Sequence, residues 1–228
     1  MKLLPAHINQ IKDFVSSRGF TEPDLQMEII DHMACRVEDL MNASSTLTLG
    51  HAIKLAHAEF GVMGFSVFED AMRSALQKRY FKVFRKLYVA NFNWKTVPLM
   101  LAFVYLVSII CEAINRPQTM FTCTGLALML ALVSNGIINA KRYERYTKML
   151  TFKMGSMYLV LSIVVFQLYN WLLIQLKIYT YLEASLTGLL FAGVLLVLLI
   201  TIHTINKTQQ HAVDSCMKLE EKYRQMLS

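Results

Sequence analysis

The chain has 228 residues, of which 55% are hydrophobic and 17% are charged. Soluble domains are usually about 45–50% apolar and about 25% charged, so this composition argues against an ordinary soluble protein and indicates membrane spans. Residues 1–77 contain six basic residues (Lys and Arg) and ten acidic residues (Asp and Glu), which gives a net charge of −4. Residues 78–228 contain seventeen basic and six acidic residues, which gives a net charge of +11. Because the positive charge lies beside apolar runs, we expect it to face lipid rather than nucleic acid.

Residues 1–77 predict a small cytoplasmic domain of short amphipathic helices. The first helix extends from about Pro5 to Ser17, the second from Pro23 to about Met41, and the third from near Thr48 to Gly61. In each helix the apolar residues recur at steps of three and four, which is typical of a helix with one buried face. A capping box, Ser66-x-x-Glu69, begins the fourth helix.

The second helix has an acidic face, which consists of Glu28, Asp31, Glu38 and Asp39. Four like charges on one helical face repel one another modestly, so we expect this face to bind a basic surface. Two such surfaces are possible: a separate protein, or the chain's own basic loop Lys141–Lys153 together with Lys78–Lys86. The alternative is a solvated surface without a partner.

The same helical face carries candidate metal ligands. Asp31, His32 and Cys35 lie beside Glu28 and could supply two or three ligands to zinc or another divalent metal, if His51 or His57 completed the site. We favour the simpler interpretation, in which His32 forms a hydrogen bond with a neighbour and no metal or cofactor is bound.

Two patterns in residues 5–75 resemble a known domain family. One is Glu28-Ile29-Ile30-Asp31-His32-Met33-x-x-x-Val37-Glu38-Asp39, and the other is Ala52-Ile53-x-x-Ala56-x-x-x-Phe60-Gly61. Together they resemble the helical HAAS domain and the similar permease-prefix domain of bacterial membrane proteins. This resemblance implies a cytoplasmic domain that precedes transmembrane helices. Some members of these families precede exporter permeases, and others are compact membrane proteins found beside PadR-like transcription regulators.

Residues 78–95 predict an interfacial amphipathic helix. Aromatic rings on one side would lie in the headgroup layer, and cations on the other would face anionic lipid. The alternative is an ordinary cytosolic helix next to the membrane. The predicted lipid-contacting residues are Lys78, Arg79, Lys82, Arg85 and Lys86, with Tyr80, Phe81 and Phe84.

Four mostly apolar runs predict four transmembrane helices, at about 96–114, 118–140, 155–176 and 185–205, since about 20 residues cross the hydrocarbon core. The last three runs are uncharged, and the first reaches residue 114 if Glu112 lies at the interface. Fifteen Lys and Arg lie on one side of these spans and only Arg116 and Lys177 on the other. The positive-inside rule therefore predicts that both termini are cytoplasmic. The tail, residues 207–228, predicts a further helix, which forms either a short coiled coil or a contact with the N-terminal domain.

Polar residues and glycines within the spans predict contacts between helices. We expect interhelical hydrogen bonds from Ser108, Ser134, Asn135, Ser162, Gln167, Asn170 and His203, and close helix approach at Gly125, Gly136, Gly188 and Gly193. His203 lies about one turn from the cytoplasmic end of the fourth span, where we favour an interfacial role over a proton relay. The spans carry no acidic or basic group near mid-membrane, which disfavours ion-coupled transport.

The sequence predicts an all-α protein of the bacterial inner membrane, with a four-helix transmembrane bundle. We found no nucleotide-binding or catalytic motif, so no enzymatic activity is expected. The favoured function is that of a regulatory or adaptor protein whose acidic domain binds a protein partner, and self-association into a homo-oligomer is a further possibility. The alternative is an accessory subunit or small permease of a transport system.

Overall fold

The computed structural model of the chain describes residues 3–44, 46–61, 63–114 and 117–227, with only the backbone at 117 and 223–227. The described residues form helices and turns and no strand, which confirms the all-α class. Four described stretches are long and apolar enough to cross a membrane: Thr96–Ala113, Gln118–Arg142, Leu150–Thr180 and Ala184–Lys222. Residues 115 and 116, which lie between the first two predicted spans, are outside the described residues.

The chain divides into two compact units. The first comprises Met1–Arg79, Arg145–Gly155 and Ala212–Ser228, and the second comprises Tyr80–Glu144 and Ser156–His211. The first unit therefore contains not only the predicted N-terminal domain but also part of the loop between spans two and three and most of the C-terminal tail.

The first unit is built around three helices, α1 (Pro5–Ser17), α2 (Pro23–Ala43) and α3 (Leu49–Ala58). A longer helix, α4 (Ser66–Ala90), begins in this unit. Gly19 follows α1 with a φ of 92°, a backbone conformation that glycine adopts without strain and that commonly ends a helix. The predicted apolar stripes form the core, in which these side chains are buried: Ile11, Val15, Leu25, Ile29, Met33, Val37, Ala52, Ile53 and Ala56.

Two later segments of the chain add buried side chains to the first unit. The short helix α7 (Leu150–Ser156) contributes Leu150 and Phe152. The last helix, α9 (Ala184–Leu227), continues from the fourth span through the predicted tail and contributes Ala212 and Cys216. Burial of these tail residues favours packing within this unit over a coiled coil. The side chains of Tyr223, Arg224 and Met226 lie outside those described.

The second unit contains α5 (Thr96–Ala113), α6 (Pro117–Arg142) and α8 (Leu159–Tyr169). It also contains the part of α4 from Tyr80 onward and the part of α9 up to His211. Many of its large apolar side chains are exposed, as a lipid-facing surface requires. A smaller set packs inward around the buried Tyr169, whose hydroxyl donates a 2.7 Å hydrogen bond to the Phe121 carbonyl oxygen. This cluster contains Cys111, Phe121, Tyr169, Leu173 and Phe191.

The third span differs from the single helix predicted at 155–176. Helix α7 ends at Ser156, a turn follows, and α8 begins at Leu159. Adjacent Gly and Ser residues commonly accompany helix kinks, and Gly155-Ser156 lies at this break. A π-helix over Asn170–Gln175 then follows α8. Such π-helical turns cannot be predicted from hydropathy, because the widened turn leaves the apolar pattern intact.

Helix α4 ends five residues before the predicted limit of the interfacial segment. The Asn91 side chain donates to the carbonyl oxygens of Leu87 and Tyr88, which satisfies acceptors at the helix end. The Asn93 carboxamide oxygen then accepts from the backbone N–H groups of Lys95 and Thr96 at 2.9 and 3.0 Å. These two asparagines therefore end α4 and begin α5.

Two of the four predicted glycine positions allow close packing. A Cβ atom at Gly188 would lie 3.0 Å from the Ser108 carbonyl oxygen, and one at Gly125 would lie 3.1 Å from the Tyr169 ring. At Gly136 and Gly193 a Cβ would meet nothing within 4 Å. Helix α9 therefore approaches α5 closely at Gly188 because that residue has no side chain.

Polar side chains within the spans form two kinds of hydrogen bond. The hydroxyl groups of Ser108, Ser134 and Ser162 each donate to a carbonyl oxygen of their own helix, not to a neighbour as expected. Asn135 does cross between helices, because its amide nitrogen donates to the Asn206 oxygen at 3.1 Å. Asn139 donates to the same oxygen at 3.2 Å, so three carboxamides join α6 to α9. Asn139 and Asn206 were not singled out from the sequence.

Candidate functional site

The acidic face (Glu28, Asp31, Glu38 and Asp39) lies on the first unit. Glu28, Asp31 and Asp39 are exposed. Glu38 is half-buried and accepts a 2.9 Å hydrogen bond from the backbone N–H of Leu3. The face is therefore exposed at three of its four carboxylates, on a helix whose opposite side is buried in the core.

A basic residue, Arg36, lies at one edge of the acidic face. The Arg36 guanidinium donates two hydrogen bonds to the Glu59 carboxylate, at 2.5 and 2.7 Å, and approaches Asp39 at 3.8 Å. This ion pair raises the pKa of Arg36 and lowers the pKa of Glu59. An open depression of about 360 Å³ lies here, lined by His32, Cys35, Arg36, Asp39, Glu59 and Phe60.

The candidate metal ligands do not assemble into a ligand set. The described residues contain no group of three or more His, Cys, Asp and Glu placed to hold a metal ion. His32 Nε2 lies 3.7 Å from Glu28 Oε1, and the imidazole packs against the Phe68 ring with 4.8 Å between centroids. Cys35 and Asp31 are exposed. His32 therefore contributes to a local packing contact between α2 and α4.

A buried carboxylate that the sequence did not single out joins two segments of the first unit. Asp24 is only 3% exposed. Its Oδ1 accepts from the Leu150 N–H at 2.8 Å, and its Oδ2 accepts from the Thr151 N–H at 2.6 Å. The first N–H groups of a helix have no partner within it, so Asp24 satisfies two such donors of α7. We call this contact the Asp24 cap.

Two ion pairs accompany the Asp24 cap. Lys153 Nζ lies 2.9 Å from Glu22 Oε1, and the hydrogen bond from Lys153 lowers the pKa of Glu22. Arg145 pairs with Glu220 of the tail. Among the described residues, the loop therefore contacts the start of α2 through Glu22 and Asp24, and not through the acidic face that was expected to bind it.

Pattern alone could not have separated Asp24 from an ordinary residue of a helical first turn. Acidic residues are common there because they favour the positive end of the helix dipole. The burial of Asp24 depends on where α7 lies, more than one hundred residues later in the chain. The sequence offers only an acidic residue directly after a proline at a helix start, Pro23-Asp24, and this signal is weak.

The predicted interfacial residues of α4 differ in exposure. Lys78, Arg79, Lys82, Arg85 and Lys86 are exposed. Among the predicted rings, Phe81 is 55% exposed, whereas Tyr80 is 1% exposed. Phe84 stacks on Tyr158 with ring centroids 4.9 Å apart. Tyr80 is therefore buried and Phe84 packs against a ring from another segment of the second unit, so these two residues lie on a covered face of α4.

Comparisons with models of protein families, with curated proteins and with solved structures find no match for this chain. The resemblance of α2 and α3 to the HAAS and permease-prefix domains stays a prediction.

Proposed function

We propose that this chain is a regulatory or adaptor protein of the bacterial inner membrane, whose acidic face binds a basic protein partner. The observation that supports this proposal is that the acidic residues at the start of α2 bind within the chain, whereas those of the acidic face remain accessible. Glu22 and Asp24 engage the chain's own basic segment, while Glu28, Asp31 and Asp39 remain exposed. An outside partner can therefore approach the acidic face without displacing the Asp24 cap.

Charge also supports a protein partner for this face. Three exposed carboxylates within three helical turns attract basic groups and repel acidic ones, which selects partners and accelerates their association. The Arg36–Glu59 pair holds one edge of the face in place, since a bidentate guanidinium–carboxylate contact fixes both side chains. The HAAS-like resemblance is consistent with a domain that precedes membrane spans and communicates with cytoplasmic proteins.

A cross-linking experiment tests the acidic face directly. Cys35 is exposed on that face, and Cys123 is the other exposed cysteine among the described residues. In a Cys123→Ser background, a photo-activated cross-linker attached to Cys35 should give a defined protein adduct in native membranes. The triple variant Glu28→Lys, Asp31→Lys, Asp39→Lys should lose this adduct.

A matched variant controls for net charge. The exposed residues Asp13, Asp70 and Asp214 lie elsewhere on the described surface, and their replacement by Lys changes the net charge by the same amount. This control should keep the adduct. Loss of the adduct in both variants, or its survival in the acidic-face variant, would contradict binding at this face.

The proposed orientation places both termini in the cytoplasm and rests on the distribution of Lys and Arg around the spans. Reporter fusions after Lys153 and after Ser228 should both give a cytoplasmic signal, and a fusion after Gln118 should give an external one. An external signal after Lys153 would require a different pairing of spans.

The bilayer is the second proposed partner. The basic residues beside the spans favour anionic lipid, because the cytoplasmic leaflet carries a negative surface potential. This attraction requires no particular geometry, and it applies to all of the juxtamembrane Lys and Arg.

A further inference from the structure

Three cations on α4 project away from the rest of the second unit. Arg85 and Lys86 follow Lys82 by three and four residues, so the three side chains lie on one side of the helix. The opposite face is covered, since Leu87 and Tyr88 are half-buried and Phe84 stacks on Tyr158. Packing therefore fixes the direction in which the three cations point.

These cations line a shallow depression. It has a volume of about 410 Å³ and is bordered by Lys82, Arg85, Lys86 and Val89. None of the ion pairs found among the described residues includes one of these three cations. Arg79, in contrast, donates to the Ser215 hydroxyl at 3.2 Å. The depression thus combines three positive charges with an apolar edge.

Exposed apolar side chains follow in the chain between the depression and the first span. Val89 is 61% exposed, Phe92 is 49% exposed and Trp94 is 93% exposed, and α5 begins two residues after Trp94. Tryptophan is enriched at membrane interfaces because its ring is amphipathic. Exposure of this kind would be unfavourable in water, so these side chains suit contact with the glycerol and acyl part of a lipid.

We propose that Lys82, Arg85 and Lys86 bind the phosphate-bearing headgroup of one anionic phospholipid, whose apolar part contacts Val89 and Trp94. Arg and Lys are the side chains that bind phosphate oxygens best. The apolar edge selects a phospholipid over free phosphate, which would leave Val89 and Trp94 uncovered. This inference narrows the general lipid attraction proposed above to one site, and it rests on the proposed placement in a bilayer, which the reporter fusions test separately.

Trp94 provides the measurement. The chain has two tryptophans, Trp94 and Trp171, so the Trp171→Phe variant reports on Trp94 alone. This protein is reconstituted in phosphatidylcholine bilayers that contain a small fraction of phosphatidylglycerol with brominated acyl chains, which quench nearby tryptophan. Brominated phosphatidylglycerol should quench Trp94 fluorescence more strongly than brominated phosphatidylcholine present at the same fraction. The difference should correspond to an enrichment of phosphatidylglycerol beside Trp94 of about fivefold or more.

Two variants separate the site from general charge. Lys82→Gln, Arg85→Gln, Lys86→Gln should abolish the difference between the two brominated lipids. Lys141→Gln, Lys148→Gln, Lys207→Gln removes the same number of exposed cations elsewhere and should preserve it. The proposed site would be wrong if both brominated lipids quenched Trp94 equally in the Trp171→Phe protein. It would also be wrong if both triple variants lost the difference in quenching between the two lipids to the same extent.

Inorganic phosphate serves as a competitor. If millimolar phosphate at constant ionic strength removes the preference for phosphatidylglycerol, the site is one for free phosphate and the lipid assignment is wrong. If the preference persists, the lipid assignment stands.

Discussion

The Asp24 cap is the contact whose removal has the most definite consequence. In the variant Asp24→Ala, the backbone N–H groups of Leu150 and Thr151 lose the only acceptor that the described part of the chain provides for them. Both residues are almost completely buried, at 0% and 1% exposure, so water cannot replace the carboxylate without an opening of the unit. We expect α7 to detach from α2 more often in this variant.

The size of the effect follows from the cost of burying unsatisfied donors. Each buried N–H without an acceptor costs about 1–3 kcal/mol. The two together therefore destabilise the closed arrangement, in which α7 packs on α2, by about 2–6 kcal/mol relative to the open arrangement, in which α7 has detached. Even the lower value raises the population of the open arrangement roughly 30-fold. The variant Asp24→Asn keeps one acceptor oxygen but directs an amide N–H at the second donor, so its effect should be smaller.

Cys216 reports the opening. It is buried with 0% exposure in the first unit, near Asp24. In a background with the exposed cysteines replaced, Cys35→Ser and Cys123→Ser, only Cys111 and Cys216 remain, and both are buried. A thiol reagent modifies Cys216 only while the unit is open, so its rate should increase roughly 30-fold or more in Asp24→Ala.

Two controls make this result specific. Cys111 lies in the second unit, and its rate should not change, because the lost contact belongs to the first unit. Asp13→Ala removes an exposed carboxylate and should leave both rates unchanged. An unaltered Cys216 rate in Asp24→Ala would refute the argument that the cap holds α7, and a parallel increase at Cys111 would indicate general unfolding instead.

Further predictions concern the membrane helices and the pH dependence of the first unit. Gly188→Val should destabilise the second unit by about 1–3 kcal/mol, because Ser108 backbone atoms leave no room for a side chain; thermal unfolding in detergent, with Gly193→Val as the uncrowded control, measures this cost. Asn206→Leu should cost about 1–2 kcal/mol, since it removes the amide bonds to Asn135 and Asn139, whereas Ser134→Ala should cost less because that hydroxyl bonds only within its own helix. Lys153 lowers the pKa of Glu22 in the folded protein. The ion pair therefore contributes its full stabilisation at pH values above the pKa that Glu22 has in the unfolded chain. This stabilisation is lost as the pH falls through the lower pKa of the folded protein. Unfolding temperatures measured between about pH 3 and 6 should therefore fall less steeply in Glu22→Gln than in the unaltered chain, and identical slopes would show that the pair contributes nothing.

The helical spans could be predicted because their cause is local. A helix that crosses lipid needs an apolar run of sufficient length, and it satisfies its own backbone hydrogen bonds. The bounds of α1, at Pro5 and Ser17, match the prediction, since a proline and a glycine limit that helix. Hydropathy could not predict the break after Ser156 or the π-helix at Asn170–Gln175, because neither changes the apolar composition of the third span.

The acidic face and the basic residues of α4 were visible in the sequence, because residues three and four apart in a helix share a face. Which face is covered was not visible. Packing covers Tyr80 and Phe84 and leaves Phe81 and the three cations exposed. The sequence alone therefore identified the charged residues of α4, and the tertiary structure decided which of its rings could meet lipid.

Asp24 shows the limit of sequence reasoning most clearly. Local pattern made it one carboxylate among ten in residues 1–77. Its two shortest hydrogen bonds join it to residues that lie 126 and 127 positions further along the chain. Composition and periodicity determined that a helical domain and four membrane helices exist, because those properties depend on neighbouring residues. The buried contact between α2 and α7 was decided only by the tertiary structure, because it depends on where distant segments of the chain meet.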